Sequence, residues 1–449
     1  MQRTLLWKLL VVGAISVALL VPLAMIQSVV AERASRRQEA VASVQASLAG
    51  AQTIVVPFIV WPYREEWEET VAELDSREKR KVQRREERQL TVFADQAELD
   101  ASTKVALDRY RGLHQVRTYA ADVDLALAFT LPDRRQIEPQ RRDGRLIWEQ
   151  PYLVLGLTDL RGLRGVTGID VEGTQLELTQ GTRSALAGNG IHAILPPAAT
   201  AGPLKVSAKL EMVGIENLSF VPTATRNDVR LRSDWPHPGF GGRFLPGDRA
   251  IGPDGFNARW SVAALTTPVR QQILDRPASG AVLATQAFGV DLVEPVNIYL
   301  LAERATKYGA LFIVLVVATV FVFETLRRAP VHPIQYGLTG LALALFFLLL
   351  LSLSEHLSFG LSYLLAAAAC VTLIAVYLGQ ALRSTRALAL VGLGLTIVYA
   401  ALYGILIAET MALLMGSMLL FGSLAAIMLA TRRVDWYSVT PPGRPASPS

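Results

Sequence analysis

Cysteine is almost missing: Cys370 is the one thiol in 449 residues. Intrachain disulfides are excluded, and so is any zinc or iron–sulfur site that needs two or more thiolates. Charge is also scarce. Only 18% of residues are Asp, Glu, Lys or Arg, against about a quarter in an ordinary soluble domain. Hydrophobic residues make up 51%, and the mean hydropathy is +0.33. That balance places part of the chain in lipid. Histidine is limited to His114, His192, His237, His332 and His356. No two share metal-ligand spacing, and H-E-x-x-H is absent. No G-x-x-x-x-G-K-[ST] is present to cradle phosphates, and no G-x-S-x-G elbow to present a serine. Gly188-Asn189-Gly190-Ile191-His192-Ala193 matches G-x-G-x-x-A formally, but no helix pattern follows it, so it reads as a turn. Ser76-Arg77-Glu78-Lys79 matches S-x-x-K, yet neither S-D-N nor K-T-G follows. The expectation is therefore no catalytic residue, no cofactor and no metal.

What the chain has in quantity is long apolar runs. Residues 9–30 carry no charge, and further runs cover 308–326, 334–354, 358–378, 387–407 and 410–430. Each has about the 20 residues that cross ~30 Å of hydrocarbon. The first run exceeds a signal-peptide core of ~7–15 residues, so an uncleaved anchor is expected. Short loops set the orientation. Arg3 and Lys8, Arg327 and Arg328, Arg383 and Arg386, and Arg432 and Arg433 all fall on one side. The connections 354–358 and 407–410 hold no Lys or Arg. Both termini are predicted to be cytoplasmic. The net charge of +5 then reflects membrane topology rather than nucleic-acid binding.

The resulting plan is a cytoplasmic N-terminus (1–8), a first span (9–30), a long non-cytoplasmic domain (31–303), spans two to six (304–431) and a cytoplasmic tail (432–449). In a bacterial inner membrane that domain is periplasmic. Its sequence reads as β-rich. Val123, Leu125, Leu127 and Phe129 alternate with Asp122, Asp124, Ala126 and Ala128. Val206, Ala208, Leu210 and Met212 alternate with Ser207, Lys209 and Glu211. Period two means a strand with one buried and one wet face. Leu176 and Leu178 flank Glu177 in the same sense, and Thr53–Trp61 reads as a strand buried on both faces. Antiparallel strands in a sandwich or curved sheet are expected. Residues 64–88 are mostly charged, acidic first and basic afterwards. They read as a solvated protruding loop, although that order also suits a hairpin pairing acid with base. The Pro- and Ser-rich tail after Tyr437 is expected to be disordered.

Ionisable groups at the membrane are the candidate site residues, because they must pair or face a cavity. Arg304, Lys307, Glu355, His356 and Glu409 fall at the periplasmic rim. Lys307 on span two is expected to pair with Glu355 on span three, with Arg304 and His356 beside them. Glu324 and His332 fall at the cytoplasmic rim. In the domain, Asp234-Trp235-Pro236-His237-Pro238 reads as a rigid aromatic turn that doubles as a candidate binding loop. The span centres carry no acid, which argues against an ion-coupled transporter.

Further strings stand out along the chain: Pro22 with Glu32-Arg33-Ala34, Asp234–Pro238 with Phe244-Leu245-Pro246, and Arg304-Ala305-Thr306-Lys307-Tyr308. To them belong Phe323-Glu324-Thr325-Leu326, His332-Pro333 with Gln335-Tyr336, Leu353-Ser354-Glu355-His356 and Asp435-Trp436-Tyr437. In these strings, over nearly its whole length, the chain resembles the CreD family of inner-membrane proteins. It implies a cell-envelope integrity protein of the CreBC two-component regulon, linked to colicin tolerance and the β-lactam response, with no established catalytic residues. The expected role is that of a non-enzymatic membrane protein whose periplasmic domain binds a protein, peptidoglycan or lipid component of the envelope, besides the membrane lipids themselves. The alternatives are a membrane enzyme acting on cell-wall or lipid material and a lipid or peptide transporter.

Overall fold

The computed structural model describes residues 2–72, 79–111, 114–141, 143–183, 188–197, 201–275, 285–294, 297–327, 331–381, 385–408 and 411–432. The chain divides into two compact units, one formed by Met1–Gln38 with Val296–Ser449 and the other by Glu39–Pro295.

The first unit is a bundle of apolar helices. Gln2–Ala18 runs on after Leu19 as Leu20–Ser47, and together they hold span one. Spans two to six are Ile298–Arg327, Pro333–Ser354, Phe359–Ala381, Thr385–Ile407 and Ala412–Thr431. The expected arrangement of one span followed by five is what the chain forms. Leucines on the outside stay exposed, as a lipid-facing surface requires, while Phe312, Phe346, Phe347 and Tyr399 pack inside. Two glycines admit span one. Gly309 lies against Leu23 and Phe347, and Gly340 against Leu19, so a larger residue at either would displace the packed neighbour. Small residues are what let membrane helices approach closely.

The second unit is a two-layer β-sandwich. In spatial order, one sheet runs Pro238–Gly242, Phe288–Leu292, Asn217–Val221, Gln52–Ala72, Tyr152–Leu157, Gly190–Ile194 and Leu178–Gln180. The other runs Asp248–Gly252, Gly255–Ala263, Arg226–Ser233, Gln96–Arg111, His114–Leu131, Gly202–Ile215, Leu163–Val171 and Thr174–Leu176. One core joins them, with Ile54, Phe220 and Phe288 from the first sheet meeting Leu99, Val123, Leu210 and Trp260 from the second. The alternation works as read: Val123, Leu125, Leu127 and Phe129 are buried, and Asp122 and Asp124 are exposed. Ile54–Trp61 is buried throughout, as a strand covered on both faces should be.

Three details differ from the sequence expectation. The sheets are mixed rather than purely antiparallel, because Gln52–Ala72 pairs in parallel with Asn217–Val221, and Gln96–Arg111 with Arg226–Ser233. Both parallel contacts bracket one crossing between the layers. There Thr223 donates to Val56 O at 2.8 Å, and the buried Asn227 side chain accepts from Ala224 N and donates to Val262 O. Such a long-range return needs no hairpin turn, so local periodicity does not show it. Next, Leu176 and Leu178 do not share a strand: the chain leaves one sheet at Leu176 and joins the other at Leu178.

The largest correction concerns residues 64–72 and 79–88, which are strand rather than loop. Gln52–Ala72 and Lys79–Phe93 pair continuously from Phe58↔Phe93 to Ala72↔Lys79 as an antiparallel ribbon. The order of charges is the cause, since pairing lays the acidic arm along the basic one. Glu66 stands opposite Arg85, Lys81 donates to Glu68 at 2.9 Å and Arg84 to Glu69 at 3.0 Å. At the base, Glu65 is fully buried, 3.4 Å from Arg88 Nε, and it accepts the Arg141 N–H at 2.6 Å. Ser76, and with it the S-x-x-K match, lies outside the described residues. The distal ion pairs are exposed and worth only ~0–1 kcal/mol each. Replacing residues 68–83 by Asn-Gly, so that Trp67 turns directly into Arg84, should therefore lower the melting temperature of the sandwich by less than about 4 °C. A larger drop in a thermal scan would make the distal ribbon part of the folded core.

Within its own unit the sandwich holds the helical turn at residues 43–47. Arg161 donates to Ala46 O at 2.6 Å, capping the last turn before Ser47. Asp159, kept below the ordinary carboxylate range chiefly by its bond with Arg161, accepts the Gly50 N–H at 3.1 Å.

Candidate functional site

The candidate residues fall into three groups. The first surrounds Glu324, near the C-terminal end of span two. Its carboxylate accepts three donors. Lys8 reaches it from the first helix, Tyr336 Oη from the first turn of span three at 2.6 Å, and the Val331 N–H from the intervening connection at 3.1 Å. Glu324 is 12% exposed and Lys8 27%; Tyr336 is buried. One acid thus ties spans one, two and three at the same end of the bundle. The local fold makes this possible. Pro333 is the first helical residue of span three, His332 Nδ1 accepts from Ile334 N, and Gln335 Oε1 accepts from His332 N. This capping box starts the helix abruptly and sets Tyr336 one turn in, facing Glu324. His332 is consequently spent on the cap and stays exposed rather than joining the acid. Charge, hydrogen bonds and partial burial together make the Glu324 cluster costly to disrupt.

The second group lies at the other end of the same spans. The expected Lys307–Glu355 pair does not form. Lys307 bonds Glu303 one turn earlier on its own helix at 2.8 Å, with both side chains exposed. Glu355, 10% exposed, faces Arg33 of the helix Leu20–Ser47 at 3.8 Å. A neighbour four residues away costs Lys307 less to reach than one on another helix, and Arg33 supplies Glu355 with a guanidinium instead. Arg304 is half-buried and His356 exposed. Glu409 lies outside the described residues. Sequence reasoning missed Lys8, Tyr336 and Arg33. The signal for Lys8 was available: a lone cation at the very edge of an uncharged run needs an acid at its own depth.

The third group is the turn Asp234–Pro238, which hands the chain from one sheet to the other. Asp234 accepts the Val105 N–H at 2.9 Å. The Trp235 indole donates to His237 O at 3.1 Å and Val293 O at 3.0 Å, under the Arg117 guanidinium at 5.9 Å. Pro236 holds the turn, and Pro238 opens a strand opposite Leu292, a position where proline is tolerated. His237 is exposed beside Trp235. The turn fastens the layers and leaves one imidazole on the surface. The remaining core histidine, His192, is buried with Nδ1 2.6 Å from Gly181 O. Gly188, with φ +66°, leads into a strand at Gly190 rather than a helix, which is turn geometry. No group of three or more His, Cys, Asp or Glu side chains suited to a metal ion occurs among the described residues.

Comparison with known proteins fixes the lineage. The family model described as inner membrane protein CreD matches residues 4–437. The chain belongs to the CreD family. Inner membrane protein CreD of Escherichia coli (strain K12) is 32% identical over 453 residues, covering 100% of this chain and 97% of that protein. This is accordingly an inner-membrane protein with several spanning helices and a large inserted β unit. Solved structures overlap only weakly. A Legionella pneumophila crystal structure described as a nutrient binding protein shares 8% identity at a TM-score of 0.25, over 58% of this chain and 84% of that one. The M1 zinc metallopeptidase of Deinococcus radiodurans shares 10% at 0.19, over 38% of each chain. Neither overlap bears on chemistry.

Proposed function

We propose that the protein is a non-enzymatic envelope-integrity factor of the inner membrane, with both termini cytoplasmic and the β unit periplasmic, where it binds a component of the envelope. The carrying observation is the insertion of a sandwich with its own core, Glu39–Pro295, between span one and the other spans. A unit of that size, built without reliance on the bundle's core, is a recognition module rather than a linker. The family role implied by the sequence resemblance, protection of the envelope, supports the same reading. In it, the Glu324 cluster and the Arg33–Glu355 pair hold the bundle, and the exposed surface of the sandwich, His237 included, meets the partner.

Orientation and role are tested separately. A phosphatase fused after residue 150 should be active, and one fused after residue 329 inactive; the reverse pattern rejects the orientation. Photocrosslinkers placed on the sandwich in living cells should capture one reproducible envelope component. Full colicin tolerance in cells whose chain lacks residues 40–294 would reject the binding role.

A further inference from the structure

The outer surface of the bundle is not uniformly convex. Between spans three and four lies a groove of about 720 Å³, lined almost wholly by apolar side chains. Its floor is Phe346, Cys370 and Ile374, all buried, and its walls are exposed leucines such as Leu341, Leu345 and Leu373. We propose that this groove holds a single acyl chain of a membrane lipid, as a bound lipid rather than as part of the exchanging bilayer. The proposal requires only the membrane placement of these spans and is independent of what the β unit binds.

The shape selects the occupant. The span-three lining runs from Leu338 to Ser352, about 21 Å at 1.5 Å per residue. Spread over that length, 720 Å³ gives a mean section of roughly 35 Å², less than half the roughly 80 Å² of even a slim helix with its side chains. A whole transmembrane helix cannot sink into such a section, whereas one polymethylene chain can lie along it. The walls agree. Helices that pack in membranes present small residues to one another, and here leucines stand along the rim.

The groove also has a definite direction. Cys370 Sγ lies 3.4 Å from Ala342 O and receives the Tyr399 hydroxyl at 3.0 Å, so the two helices close together behind it. Span four lines the groove only from Ala369 to Tyr377, the part that faces the first half of span three. The groove is therefore two-walled toward the end of the bundle that carries Glu324, and opens onto lipid toward Ser352. A chain entering from the leaflet at the Glu324 end would lie along it. Water will not fill so apolar a space, and an empty one forfeits dispersion contacts on every wall. Lipid tails are no less apolar than leucine, so retention rests on packing contacts with two helices at once, which an ordinary neighbouring lipid lacks.

The test uses the full chain in vesicles of phosphatidylethanolamine and phosphatidylglycerol doped with a phosphatidylethanolamine carrying a diazirine in one acyl chain. After irradiation, the peptides holding residues 338–349 and 369–377 should carry several-fold more label than that holding 411–432 of span six. Ala342→Phe with Ala369→Phe fills the groove and should remove that excess while leaving the span-six label unchanged, which also reports that the bundle is folded. Leu424→Phe, on the exposed face of span six, should change neither. Even labelling of all lipid-facing peptides, unaffected by the filling variant, would overturn the proposal. So would protein–protein crosslinks through residues 341–349 that compete with lipid label, because the groove would then be an interface between chains.

Discussion

Glu324→Ala should cost the helix bundle about 3 kcal/mol, read as a large loss of thermal stability in detergent. The size follows from what is stranded. Lys8 loses its counter-charge, and the Tyr336 hydroxyl and the Val331 N–H lose their acceptor. Removing one partner of a largely buried ion pair is commonly worth ~3–5 kcal/mol, and the 27% exposure of Lys8 moves the figure to the lower end. Glu324→Gln separates the contributions. It keeps one acceptor oxygen, enough for the Tyr336 hydroxyl or the Val331 N–H but not for both, and no charge for Lys8, so less than half the loss should return. Adding Lys8→Met to Glu324→Gln removes the stranded ammonium and should recover stability relative to Glu324→Gln alone. The double-mutant coupling should fall within ~0.5–3 kcal/mol. A coupling near zero would mean that Lys8 is solvated independently and that Glu324 acts through Tyr336 and the Val331 N–H. Because the three donors come from the first helix, the connection and span three, the same variants should loosen span one from the bundle. Its cysteine-labelling accessibility would show this at positions 19 and 23, which pack on Gly340 and Gly309.

Which features were legible in the sequence follows the range of the interactions. The spans were readable because lipid imposes a length and an apolar composition on every residue of a run. The one-sided strands were readable because alternation is local. The Glu324 cluster was half readable: the acid and its depth are sequence properties, but its partners Lys8 and Tyr336 depend on which helices touch. For Lys307 the nearer rule should have been applied first, since Glu303 stands four residues away on the same helix and Glu355 depends on tertiary packing. The ribbon at 64–88 failed for a different reason. Charge density was read as solvation, yet an acidic run followed by a basic run across a short connection is what a self-pairing ribbon needs. Glu65 shows the limit. Nothing in its sequence neighbourhood distinguishes this buried acid from Glu66 or Glu68, because its burial comes from Arg88 and from the backbone at Arg141.

Trp260→Ala should take a large share of the sandwich's stability while leaving the spans in the membrane, and this is the sharper functional test. Trp260 is 1% exposed and stands where the sheets meet. Its ring lies 5.7 Å from Phe288 of the opposite layer and 5.8 Å from Phe240, and its indole donates to Phe244 O at 3.1 Å. Truncating a buried tryptophan costs ~3–5 kcal/mol through lost contacts and the cavity left behind. The Phe244 carbonyl also loses its donor. Against a typical domain stability of ~5–15 kcal/mol, that removes a large share. Trp260→Phe keeps most of the packing and gives up chiefly the hydrogen bond, so its cost should be nearer ~1 kcal/mol. Chemical unfolding of residues 39–295, followed by tryptophan fluorescence and near-ultraviolet circular dichroism, should rank wild type, Trp260→Phe and Trp260→Ala in that order. In cells, the Trp260→Ala chain should still reach the inner membrane, because the charges that orient its spans are untouched. If envelope protection runs through the sandwich, those cells should be markedly more colicin-sensitive than wild type, and Trp260→Phe should restore tolerance. Full protection by membrane-inserted Trp260→Ala with an unfolded sandwich would place the activity in the helix bundle, where the acyl groove and the Glu324 cluster would become the features to examine.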